Sequence, residues 1–91
     1  MKGVTTMNEK IQTRLEVMQI WADLAETAER KIEDTESEIK WQEEVLAEEE
    51  AKDEGERSDW RIKDHRETIA RYKRRIEAVK QVQAQILKLM G

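Results

Sequence analysis

The chain has 91 residues, a net charge of −4, 42% charged residues, three Gly and no Cys, Pro or Phe. That length holds one domain with a limited core, and the missing cysteine excludes disulfides, thiolate chemistry and cysteine zinc sites. The composition lies near the border of disorder; a regular apolar period and charges segregated by sign argue for a fold.

Residues 1–6 are expected to form a flexible lead-in. "MKGVTTMNEK" lacks the apolar stretch of a signal sequence, and no window approaches the roughly 18 apolar residues of a membrane span. The expectation is a soluble cytoplasmic protein with no membrane partner.

Thr6 and Glu9 have the spacing of a capping box, in which each side chain takes a backbone amide of the other. No Gly or Pro follows until the turn, so the spacing predicts a helix over 7–52. Counting by sevens from Met18 gives Ala25, Ile32, Ile39 and Leu46; the companion series is Trp21, Ala28, Thr35 and Gln42. These are the a and d positions of a heptad, a single stripe along one helix.

Gly55 interrupts the pattern inside "DEGERSD", predicting a turn over 53–58. The glycine is expected to end the first helix in the left-handed conformation, with Ser58 or Asp59 capping the next. A second helix over 59–90 carries Ile62, Ile69, Ile76, Gln83 and Met90, with His65, Tyr72, Val79 and Ile86 between. Two such stripes joined by a short polar turn predict an all-α fold, an antiparallel two-helix coiled-coil hairpin assembling into a four-helix bundle dimer.

Turning at Gly55 sets Leu46 against His65, Ile39 against Tyr72, Ile32 against Val79 and Trp21 against Met90. The flanks then match in charge: Glu43 with Arg66, Glu36 with Lys73, Glu29 with Lys80, and Glu38 with Arg75. Residues 7–52 hold 14 acids and 6 bases, whereas residues 59–90 hold 4 acids and 9 bases. Each exposed pair contributes only about 0–1 kcal/mol, so its use is in selecting the pairing.

The first helix is the longer, so its start overhangs the second by about 14 residues, or about 20 Å. Apolar residues crowd that open end: Ile11, Leu15, Val17, Met18, Ile20, Trp21 and Leu24, with Val82, Ile86, Leu87, Leu89 and Met90 from the second helix. One neighbouring helix cannot cover them all, which points to self-association. Trp41, at a c position facing away from the second helix, and Val45 form a candidate partner-binding anchor. Trp60 is expected to pack against the turn.

"DEGERSD" lacks the ligand spacing of a calcium loop, His65 is a lone imidazole on the seam, and no phosphate-binding glycine loop exists. No catalytic residue, metal or cofactor is expected. The reading is a non-enzymatic protein–protein interaction module, an adaptor or regulator that homodimerises and binds a protein partner. An alternative is a nucleic-acid-binding hairpin using Lys63, Arg71 and Arg74, disfavoured by the acidic balance. Another is a small acidic inhibitor, of the phage accessory type, whose ridge of Glu33, Asp34, Glu44 and Glu48 occupies an enzyme's nucleic-acid groove.

Overall fold

The computed structural model describes residues 6–91. Apart from Thr6, the expected lead-in lies outside the described residues. Helix α1 spans Met7–Glu50 and helix α2 spans Asp59–Met90. They pack antiparallel: His65 Nδ1 lies 2.6 Å from Gln42 Oε1, while Gln83 Nε2 donates to the Ala25 carbonyl at 3.3 Å, near the other end. The chain is therefore an all-α two-helix hairpin. No described helix is long and apolar enough to cross a membrane.

The helix starts follow from their caps. Glu9 N–H donates to Thr6 Oγ1 at 3.1 Å and Thr6 N–H to Glu9 Oε2 at 3.2 Å, completing the box. Ser58 caps α2, its hydroxyl accepting from Arg61 N–H at 3.3 Å. Each arrangement satisfies amides that have no partner within the first turn.

The end of α1 departs from expectation. The helix stops at Glu50, with Ala51 in right-handed geometry as its cap, and Gly55 does not adopt a left-handed conformation. The physical reason is charge: Glu48, Glu49 and Glu50 crowd the negative end of the helix dipole with no base inside the last turn, and Lys52, just beyond it, pairs with Glu49 alone. The connection then folds on the Asp53 carbonyl, which accepts from Glu56 N–H at 2.8 Å and Arg57 N–H at 2.9 Å.

The seam is built of isoleucine. Ile32, Ile39, Ile69 and Ile76 form the buried cluster, with Leu46, Tyr72 and Val79 packed against it. Burying one such side chain contributes about 1.5–3 kcal/mol. Thr35 is buried on the same stripe, and its hydroxyl donates to the Lys31 carbonyl at 2.7 Å, so it leaves no polar group unpaired. His65 and Gln42 satisfy each other as a polar layer between the isoleucine cluster and the turn.

The flanking charges pair less than the sequence suggests. Arg66 reaches Glu50 at 3.1 Å rather than Glu43. Glu29 accepts from Gln83 Nε2 at 2.8 Å, not from Lys80. Among the described residues neither Glu36 with Lys73 nor Glu38 with Arg75 forms an ion pair. Long exposed side chains gain too little from such contacts to offset their lost freedom. The Arg66–Glu50 pair nevertheless joins two e positions, which fixes which flanks of α1 and α2 share a side of the hairpin.

Candidate functional site: the exposed apolar surface

The open end is apolar and wet. Ile11, Leu15, Val17, Met18, Ile20 and Leu24 of α1 are all exposed, as are Val82, Leu87 and Leu89 of α2. Three expected members of this surface are drawn into the hairpin instead: Ile86 is 8% exposed, and Trp21 and Met90 are half-buried. They belong to the a and d stripe, so the facing helix covers them first.

The unpaired start of α1 has the expected length. Residues 7–20 are all exposed, and burial begins at Trp21, the level at which α2 ends. Leu89, Met90 and Gly91 line a shallow cleft with Arg14, Val17, Met18 and Trp21 at the base of this overhang. Ile11, 51% exposed, is on its free turns.

The exposed apolar residues are also unevenly distributed around the hairpin. Val17, Leu24, Val82 and Leu89 occupy g positions, and Ile20 and Trp41 occupy c positions. In a heptad, g and c lie on one side of the seam and e and b on the other. In an antiparallel pair the two g flanks meet, as the two e flanks do here at Arg66 and Glu50. All six side chains therefore lie on one broad face of the plate. The opposite face carries Glu29, Glu36, Glu43 and Glu50 of α1 and Arg66, Lys73 and Lys80 of α2; its exposed large apolar residues are Leu15 and Leu87.

Trp41 is 53% exposed on the apolar face, as the sequence predicts. Val45 is half-buried, and its g position lies opposite Thr68, also half-buried, so the hairpin itself covers part of the proposed anchor. Trp60 is 73% exposed and does not pack against the turn. Its f position faces directly away from α1, so no neighbour is available to it.

The basic candidates are exposed but dilute. Lys63 shares a shallow cleft with Trp60, Asp64 and Glu67. The Arg71 guanidinium lies 5.8 Å from the Tyr72 ring centre, with Arg75 at 5.9 Å. Arg74 is exposed, as are Glu33, Asp34, Glu44 and Glu48 of the acidic ridge. Among the described residues no three His, Asp or Glu side chains converge as metal ligands would.

Sequence reasoning missed Glu49. It is 6% exposed at the d position after Gln42, where the register places it opposite Ile62. Its carboxylate accepts from Ser58 N–H at 2.8 Å and from Lys52 Nζ at 2.7 Å. Those two hydrogen bonds, the lysine's first, hold its pKa below the ordinary value. Continuing the count by sevens reaches this residue, but within a run of acids it reads as solvated surface.

Comparison with protein-family models, curated proteins and solved structures gives no match to this chain.

Proposed function

We propose that this protein is a non-enzymatic interaction module: a helical hairpin that homodimerises into a four-helix bundle and presents its overhanging first turns to a protein partner, as an adaptor or regulator. One observation carries the reading, the concentration of exposed apolar side chains at the open end. Soluble monomers keep contiguous apolar patches to a few hundred Å², and a short chain with a thin core gains stability from a second copy. Ile11, beyond the reach of α2, is the contact offered to the partner.

Light scattering tests the assembly. A mass near twice 10.8 kDa is expected; a monomer at high micromolar concentration overturns the reading. Partner capture from cells, lost on Ile11→Asp with the dimer intact, supports the overhang contact. Capture unchanged by Ile11→Asp removes it.

A second reading has one observation in its favour: Lys63, Arg71 and Arg74 are exposed and form no ion pair with α1. Salt-sensitive binding to random DNA or RNA, abolished by Arg71→Glu with Arg74→Glu, would establish it.

A further inference from the structure

We infer that a second copy of this chain covers the face bearing Val17, Ile20, Leu24, Trp41, Val82 and Leu89, with the two open ends together and the two-fold axis running along the rod. This deepens the self-association reading and rests on it.

Charge chooses the arrangement. On this face, between the apolar open end and the turn, α1 carries Asp34 and Glu38, while α2 carries Arg71 and Arg75. None of the four is ion-paired within the chain among the described residues. An axis along the rod lays α1 of each copy over α2 of the other, antiparallel and in the register of the hairpin itself. The open-end and middle levels then meet their complements: Ile20 and Leu24 lie over Leu89 of the second copy, with Val82 two turns on, and Asp34 and Glu38 cover its Arg71 and Arg75. Nearer the turn, Glu48 comes to the level of the second copy's Asp64, a like-charge pair outweighed by these contacts. Trp41 comes over the second copy's Arg71, where a guanidinium on an indole is favourable. Lys31, the base of α1 in this region, has Asp34 one turn away on its own helix.

The alternative two-fold axis, across the rod, lays α1 on α1 and α2 on α2. Asp34 and Glu38 then face acids, Arg71 and Arg75 face arginines, and each apolar open end lies over the other copy's charged turn. Like charges at matched positions disfavour that pairing. The area is also adequate. The paired length is about 48 Å for 32 residues and the plate is 21 Å wide, so the footprint is roughly 1,000 Å² a side, against about 800 Å² for a standard stable interface.

The chain has no cysteine, so a Glu54→Cys variant takes a spin label at the turn alone, away from the proposed face. In the purified dimer the two labels are expected within two to three helix spacings of ~10 Å each. Ile20→Lys and Val82→Lys are expected to give monomers with helix content retained, and Trp41→Ala to weaken dimerisation about tenfold. Glu36→Lys, on the opposite face, should leave the dimer intact. A dimer whose labels lie beyond ~50 Å, the paired length, overturns the arrangement. So does one that survives both lysine substitutions, because another surface then joins the copies. Loss of the dimer with Glu36→Lys alone also overturns it. A chain that is monomeric without substitution ends the self-association reading as well, so the two failures are distinguishable.

Discussion

Glu49 Oε1 lies 2.8 Å from the Ser58 backbone nitrogen, so the last turn of α1 holds the residue that caps α2. Nine residues separate them in sequence, and the hydrogen bond closes the connection like a clasp. Lys52 completes it at the other carboxylate oxygen. The turn is thus specified by a buried acid on the seam more than by the glycine at its tip.

Removing the clasp should loosen the connection. Glu49→Ala is expected to lower the Tm and to speed amide exchange at Ser58 and the first turn of α2, while the Ile39 and Ile76 region keeps its protection. Hydrogen exchange resolved by residue checks this. Uniform loss of protection along both helices would contradict a local role.

The same carboxylate gives a pH dependence. Its folded-state pKa is held below the ordinary value of 4.5 by Lys52 first and then by the Ser58 amide. A lowered carboxyl pKa means that the unfolded state takes up its proton first on acidification. The contribution is therefore present above pH 4.5 and is lost as pH falls below it toward the lowered value. Thermal unfolding between pH 7 and 2 should show a steeper acid loss for the native chain than for Glu49→Gln.

Gly55→Ala should be tolerated and slightly stabilising, by about 0.4–1 kcal/mol. The glycine is not in the left-handed region, and a Cβ built there meets nothing within 4 Å. The substitution then acts chiefly by restricting the unfolded chain. Urea unfolding measures it, and destabilisation would mean that the turn needs a conformation only glycine adopts.

Ile39→Ala or Ile76→Ala should cost about 2–3 kcal/mol, the low end for buried isoleucine because each site keeps a small exposure. In a hairpin whose whole stability is of order 5 kcal/mol, either variant sits near unfolding. Trp60→Ala, at an exposed site, should stay within about 0.5 kcal/mol. Circular dichroism against urea compares the three.

The polar layer should show coupling. Replacing Gln42 by Leu leaves His65 without its 2.6 Å partner. Changing both to Leu is expected to recover most of the loss, with about 1 kcal/mol of interaction between the sites. A double-mutant cycle in urea reads it directly.

Much of this molecule was legible beforehand. The capping box at Thr6 and Glu9, the isoleucine stripe and the fold-back depend on spacings of three, four and seven residues, which the geometry of a helix turns into one face. Trp41 was also identifiable as an outward residue, because its heptad position does not depend on its neighbours. The candidate surface was partly legible: the open end was visibly apolar, but not how far the seam would cover its residues.

The sequence by itself determined two helices, their seam and their antiparallel pairing, because period and net charge are properties of the one-dimensional string. Only the tertiary structure decided where the exposed apolar residues gather, which charges find partners and how the turn is held. Those outcomes depend on competition in space. Trp60 stays wet instead of packing against the turn, Arg66 reaches past Glu43 to Glu50, and Glu49 leaves the solvated run to take the Ser58 amide.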